Sequence, residues 1–475
     1  LFLLFALNFI FLNKIDAQEN ALKVGVSCVD VSPTIFPIQL RSGKSSYVHD
    51  PLHVRAVAFE SGEGRAVICL IDAIGIGREM SDIAKSKAAK KTGWKTEEML
   101  ICATHTHSAP KGGTGMPGRE AYEKLKHDKL EEAIVLAIER LQLAKIGFSS
   151  EDEPSEVRNR RWFLEPGNMP PNPLGEKDQV KTNAGRNHLV RPAGPVDPEI
   201  CVIDVRNSRN KPLALIANYA LHYVGGVPKR IDDKGREVGM ASADYFGEFS
   251  RIMPYRIGGS NPSANFVAMM TNGASGDINN LVFTGTRAPR SPFEQIRIVA
   301  SKTADAAWRA VKKIEAYKTK PVIATRQREV NLPYREPNER EIKLAEDLLQ
   351  RTRKERDAIN SRTTSVATRV IEYANPEHPR TEPVLIQAFR IGDQAIVSMP
   401  FEVLVEIGLE IKKKSPFERT FLISMANGGY GYLPPPNQHK LGGYETWLGT
   451  SRFQPQSSDI LIKNLLEMLE ELRAL

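Results

Sequence analysis

Apolar and polar positions alternate with a period of two along "KVGVSCVDVSP" (23–33), the pattern of a strand that stops at Pro33. "HVRAVAFES" (53–61) and "RAVICLID" (65–72) lie on either side of the turn "GEGR", which predicts a strand pair. The spacing then changes. "EMSDIAKSKAAKKTG" (79–93) carries helical spacing and ends at Gly93. "MLICATHTHS" (99–108) is a further strand with its exit loop, and "YEKLKHDKLEEAIVLAIERLQLA" (122–144) predicts an amphipathic helix. Strand, helix, strand, helix marks an α/β chain.

The second half continues the alternation. Residues 166–198, rich in Pro, Gly and Asn, have no periodic pattern and read as one long functional loop. "EICVIDVR" (199–206) and "PLALIANYALH" (212–222) predict another strand pair, the second ending at His222. "NFVAMMTNGASGDINN" (265–280) is a strand running into a small-residue loop, followed by a helix over 291–314. The charged run 336–362 reads as one helix with a solvated face. "VLIQAFRIGDQAIVSMP" (384–400) predicts a hairpin turning at Gly392-Asp393. A helix follows over 401–415, then "TFLISMANGGYGYLPPP" (420–436), a strand into a loop. Neither an internal repeat nor a linker interrupts the pattern. The expected architecture over 22–475 is therefore one large α/β domain of mixed β-sheets packed together, with helices on the outside.

Composition bounds this picture. With 475 residues, 41% of them hydrophobic, the chain can bury a sizeable core. The net charge of +8 comes from 65 basic and 57 acidic residues mixed along the chain. That excess suits an anionic partner or a membrane surface, but no clustered basic-aromatic face supports nucleic-acid binding. The apolar run from Leu1 to Leu12, ending near Ala17-Gln18, reads as a truncated signal peptide over 1–18, with a buried N-terminal helix as the alternative. It predicts an exported protein, periplasmic or extracellular. Cys28, Cys69, Cys102 and Cys201 have no CxxC spacing and read as small core residues rather than a thiolate metal site.

The candidate chemistry gathers at strand exits. His105, His222, the 272–280 loop and Tyr432 each lie where an apolar run gives way to Gly, Asn or Pro, and Glu402 follows Pro400. Rigid strand ends are where sheet-based enzymes collect ligands. Imidazoles and a carboxylate converging there suit a first-row metal, zinc first. Each residue alone has an ordinary explanation: a loop-bonding histidine, a helix-start carboxylate, a packed tyrosine.

"ATHTHSAP", "ANYALH", "GDIN", "MPFE" and "NGGYGYLPPPNQHKLGGYE" occur in an order and context that resembles the neutral/alkaline non-lysosomal ceramidase family, over roughly residues 23–447. The resemblance implies a zinc hydrolase. On it, His105, His222, Glu402 and Tyr432 match the metal ligands. His107 matches the histidine that meets the scissile amide, Arg160 an arginine in the loop before the substrate groove, and Tyr444 the tyrosine facing the substrate carbonyl. Zinc-activated water would attack the amide carbonyl, with His107 and Tyr444 stabilising the oxyanion and His107 protonating the leaving amine.

Two departures accompany it. Where the family reads Gly-Asp-Val-Ser-Pro, this chain has Gly276-Asp277-Ile278-Asn279-Asn280, so Asn279 occupies the place of a catalytic serine. An amide can donate to an oxyanion but cannot act as a nucleophile; Ser275 is close in sequence. The residues after Tyr444 read mostly as a helix, where family members often carry a further β-sandwich. The resulting expectation is an exported zinc-dependent amidohydrolase acting on a small or lipid N-acyl substrate, ceramide foremost, in solution or at a membrane surface. Competing readings are a zinc hydrolase of another amide or ester, an inactive zinc-binding relative, and a metal-free binding protein. Oligomeric state is left open.

Overall fold

The computed structural model describes residues 20–475 apart from Thr114, Met116, Asn261, Pro262 and Ala264. The segment 1–18, expected to be a signal peptide, lies outside the described residues. Eight strands form the larger sheet, in the order Val267–Asn272, Pro212–Tyr219, Glu199–Asn207, Gln142–Asp152, Lys23–Asp30, His53–Ser61, Gly64–Ile71 and Met99–Ala103. Neighbours are antiparallel except at the two edges, where the outermost pairs run parallel. Parallel pairing needs a crossover, and each edge has one: helix Arg78–Thr92 on one side and helix Asp244–Gly258 on the other. Gly93, at φ 75°, ends the first of these helices and donates to the Ala89 carbonyl.

The strands are apolar on both faces because both faces are covered. Along Gly64–Ile71, Ala66, Ile68 and Leu70 point inward against Phe389, Ile396 and Phe421 of a second, four-stranded sheet. Val67, Cys69 and Ile71 point outward to Ala84 and Ala88 of helix Arg78–Thr92 and to Ala133 and Ala137 of helix Pro117–Glu139. Helices Asp244–Gly258 and Glu294–Lys312 cover the other half of that outer face. Val405–Lys414 and Ser457–Arg473 cover the outer face of the second sheet. The layers run helix, sheet, sheet, helix, as the expected α/β architecture requires. Among the described residues no helix is long and apolar enough to cross a membrane.

Several boundaries differ from the sequence expectation. The helix expected over 122–144 ends at Glu139, and Gln142–Asp152 is a central strand. The charged run breaks into Glu339–Gln350 and Arg353–Ile359 because Asn338 and Thr352 each make a capping box. The 166–198 loop holds two short strands, Val180–Thr182 and Leu189–Pro192, flanking Arg161–Leu164. The helix expected from 401 begins at Val405, and Glu402–Val403 is instead a strand beside Tyr432–Leu433. Helix Asp244–Gly258 and strand Ile323–Pro333 were not among the expected elements. All four cysteines are unpaired.

The two edges of the large sheet are joined by residues 424–427, which continue strand Arg419–Ile423 of the second sheet. The Ser424 N–H donates to the Asn272 carbonyl at 2.9 Å, at one edge. The Ala103 N–H donates to the Met425 carbonyl at 3.2 Å and the Asn427 N–H to the Ile101 carbonyl at 2.8 Å, at the other. The Asn427 side chain adds three bonds: it accepts from the Ile101 N–H and the Ser81 hydroxyl, and donates to Gln387. Asn427 is fully buried and sits at φ 57°, a conformation Asn tolerates better than most residues. Asn427→Leu strands the Ile101 N–H and strains the backbone, with an expected loss of about 2–4 kcal/mol of stability, read as a lower midpoint in urea denaturation.

Candidate metal centre

The closed sheet brings three strand exits to one place. After strand Met99–Ala103 the backbone turns sharply, with His105 at φ 71°, a conformation uncommon for a residue with a Cβ. The turn is fixed by Thr104 N–H to the Ile71 carbonyl, His105 N–H to the Ala73 carbonyl and His105 Nδ1 to the Ile74 carbonyl at 2.5 Å. His222, fully buried, follows strand Pro212–Tyr219, and its Nδ1 meets the Ser275 carbonyl at 3.0 Å. Buried Asp244 collects the N–H groups of Val224, Gly225 and Tyr245, holding the loop after His222. Glu402 comes from the second sheet's side, in register with Tyr432 in a two-residue parallel ladder. Gly276 lets the 272–280 loop lie against this ladder: a Cβ there would sit 2.6 Å from the Glu402 carbonyl oxygen.

The hydrogen-bond partners fix the imidazole tautomers. A ring nitrogen facing a carbonyl oxygen carries the proton, so Nε2 of neutral His105 and of neutral His222 presents a lone pair. These two lone pairs are 3.0 Å apart, and Glu402 Oε2 is 3.3 Å from the first and 3.7 Å from the second. That carboxylate oxygen is buried and has no hydrogen-bond partner among the described residues. Protonation of His222 or of Glu402 does not relieve the crowding. Burial holds the His222 pKa well below the usual imidazole range, reinforced by His105 and Arg160. Burial raises the Glu402 pKa, but His105, Tyr432 and Arg160 outweigh it, so the carboxyl stays below its usual range and ionised. Acceptors aimed at one another in a dry site fit a cation between them. The nitrogen separation is close to the about 3.4 Å edge of a tetrahedron whose ligands lie 2.0–2.1 Å from zinc.

His107 completes a cluster in which His105, His107 and His222 each place a ring nitrogen within 4.8 Å of the others, an arrangement able to hold a metal ion. Its tautomer differs, however. His107 Nδ1 faces the Arg41 guanidinium at 3.2 Å, and a guanidinium only donates. The neutral ring therefore carries its proton on Nε2, which lies 3.1 Å from His105 Nε2. Burial, then His105, Arg41 and Arg160, push its pKa down, so the ring is neutral. Tyr223 stacks on it at 3.7 Å between centroids. His107 thus presents an N–H donor where His105 and His222 present acceptors.

Arg160 is the buried anchor behind Tyr432. Its Nη2 donates to the Gly276 carbonyl at 2.6 Å and to the Tyr432 hydroxyl at 3.0 Å, and its Nε to Glu445 at 2.9 Å. Burial, with Glu402 adding to it, raises the Tyr432 pKa well above the usual phenol value. Glu445, fully buried, also accepts from Arg161 at 2.7 Å and Thr182 at 2.5 Å. Tyr444 packs edge-on to Tyr432, with centroids 5.5 Å apart. The structure thus gathers His105, His107, His222, Glu402, Tyr432, Arg160 and Tyr444. Asn279 faces elsewhere: its Nδ2 donates to Asn183 Oδ1 at 2.7 Å, and its Oδ1 accepts from the Leu281 N–H. The Ser275 hydroxyl donates to Asn272, and only the Ser275 carbonyl reaches the cluster, through His222.

Sequence reasoning missed Arg41, Tyr223, Arg161 and Glu445. The last had a signal: two adjacent arginines, Arg160 and Arg161, need a buried counter-charge if that loop packs inside. Glu445→Gln leaves two buried guanidiniums sharing a neutral amide. The expected cost is about 3–5 kcal/mol of stability, measured by chemical denaturation, with the 436–446 segment becoming the first to be cut in limited proteolysis.

No protein-family model matches the chain, and no protein of curated function matches it in sequence. Its structural neighbours are ceramidases. The crystal structure of neutral ceramidase from Pseudomonas aeruginosa superimposes with a TM-score of 0.69 at 16% identity, over 96% of this chain and 75% of that one. A structure described as ceramidase complexed with C2 gives a TM-score of 0.70 at 16% identity, with the same coverage. At this level of identity the likeness is one of fold.

Proposed function

We propose that the protein is an exported zinc-dependent amidohydrolase that cleaves the N-acyl bond of a lipid amide, with ceramide as the reference substrate and a sphingoid base and fatty acid as products. The observation that carries this reading is the convergence of two imidazole lone pairs and one unpartnered carboxylate oxygen. The fold likeness to the neutral ceramidases supports it. Export rests on the apolar run 1–12 of the sequence.

In this reading His105, His222 and Glu402 hold the ion, with Tyr432 beside Glu402 as the fourth ligand. Zinc supplies Lewis acidity, polarising a carbonyl and lowering the pKa of water to about 7. The remaining work belongs to the side chains. His107 Nε2–H donates a hydrogen bond to the amide oxygen as charge develops there, and the proton that the departing amine needs comes from the attacking water. Arg41 and Tyr223 keep that ring in the donating tautomer and orientation. Arg160 restrains the Tyr432 phenol, and Tyr444 packs edge-on against the same phenol. Asn279, turned toward Asn183, takes no part in these steps.

The substitution at Asn279 favours one other reading, a zinc-binding relative without turnover. One experiment separates the two: metal analysis of purified protein, with hydrolysis of a fluorescent N-acylsphingosine before and after chelation. The expected outcome is about one zinc per chain, and turnover that disappears with the metal and returns on adding zinc. His105→Ala loses metal and activity together. His107→Gln keeps the metal and loses about 10²–10³-fold in turnover. Bound zinc with no turnover of any acyl amide selects the inactive relative, and full turnover by metal-free protein overturns the hydrolase mechanism.

A further inference from the structure

Beside the metal centre, a short two-stranded ribbon, Arg158–Asn159 paired with Ile278–Asn279, separates two environments. On one side is Arg160, bonded to Tyr432 and Gly276. On the other is a cleft of about 410 Å³ whose walls include Asn183, Arg186, Arg287 and Arg290, with Leu281 and Phe283 supplying an apolar surface. Asn183 belongs to both environments: it lines the cleft, accepts from Asn279 and is bonded through its N–H to the Arg160 carbonyl.

The charges around this cleft do not cancel. Arg158 and Arg287 both donate to the Asn280 carbonyl, which brings two guanidiniums to one oxygen. The nearest carboxylate, Glu156, is 3.8 Å from Arg287 but already bonds Lys302 at 2.6 Å and Gln295 at 3.2 Å. Glu294 serves Arg290 at 3.1 Å and the Ser291 N–H. Arg186 is exposed. Of the three arginines that line the cleft, Arg290 has Glu294, Arg287 has only the shared and more distant Glu156, and Arg186 has no partner among the described residues. Arg287 feels the imbalance: burial lowers its pKa, Glu156 raises it, and Arg158, Arg290 and Arg186 lower it again. Like charges held this close call for an anion, and guanidiniums match the planar oxygens of carboxylate and phosphate. Leu281, left 47% exposed beside them, is what an attached apolar chain would cover.

We propose that this cleft binds an anionic group of the carboxylate or phosphate class carried on an apolar chain. The proposal rests on the N-acyl hydrolase reading and refines its substrate. A simple acyl chain has no charge, so the anion is either an acidic head on the amine portion of the substrate or the carboxylate of the released fatty acid. Acidic N-acyl lipids are then bound ahead of neutral ceramide.

The test is calorimetric titration of the full chain after chelation, which keeps the metal out of the measurement. The probes are N-lauroylglycine, laurate and neutral N-lauroylethanolamine, all below their micellar concentrations. N-lauroylglycine is expected to bind about tenfold or more tighter than N-lauroylethanolamine, with the difference shrinking at high salt. Arg287→Gln and Arg290→Gln should each remove most of that difference. Arg186→Gln, at an exposed position, serves as the variant whose folding is not at risk. Laurate binding equal to that of N-lauroylglycine assigns the cleft to the product carboxylate, and weaker laurate binding assigns it to an acidic head; both retain the anion site. Equal binding of neutral and anionic probes, or affinities unchanged in all three variants, overturns it. Turnover of the same amides by zinc-loaded protein is read separately, so a binding protein without turnover removes the hydrolase reading and leaves the cleft.

Discussion

Opposite edges of an eight-stranded sheet cannot deliver side chains to a common point unless something spans the distance between them. Residues 424–427 do this, hydrogen-bonded to Asn272 at one edge and to Ile101 and Ala103 at the other. They continue a strand of the second sheet, so the stacking of the two sheets and the meeting of His105 with His222 are one event. The alternating positive φ values of Met425 and Asn427 show how tightly this segment is wound. A register slip in strand Arg419–Ile423 would move every bond of the closure and separate the imidazoles.

Around that closure the site is assembled from buried polar groups, each committed by a partner outside the cluster. The Ile74 and Ser275 carbonyls choose the protonated nitrogen of His105 and His222, and Arg41 makes the opposite choice for His107. Glu445 joins Arg160 and Arg161, drawing the loop that carries Tyr444 onto the loop that carries Arg160. Three chemically similar rings thereby acquire two different capacities, and the difference comes entirely from what stands behind them.

Much of this was legible in the chain. Apolar runs that end abruptly in His, Asn or Gly mark strand exits, so the positions of His105, His222, Glu402 and Tyr432 at such ends could be read from local pattern. The layered α/β architecture followed from strands that alternate with helices along the chain. What local pattern does not contain is pairing between distant segments. Strand Ile323–Pro333 is half-exposed and charged, so its period is blurred, and strand Gln142–Asp152 begins only two residues after a helix whose apolar repeat runs into it. Arg41, Tyr223 and Glu445 look like ordinary surface or loop residues until the fold sets them against His107 and Arg160. Asn279 shows the converse: its place in a motif said nothing about where its amide would point.

The left-handed turn at His105, two lone pairs in opposition and a buried carboxylate oxygen without a donor are each unfavourable in the metal-free chain. They are concentrated where the two sheet edges meet, the junction on which the whole architecture closes. A cation seated there would convert the lone pairs and the carboxylate oxygen from penalties into ligands and offset the strain of the turn, so its binding and the cooperative integrity of the fold would become linked equilibria. The supply of free metal in the surroundings would then set how long the polypeptide survives, as well as whether it works.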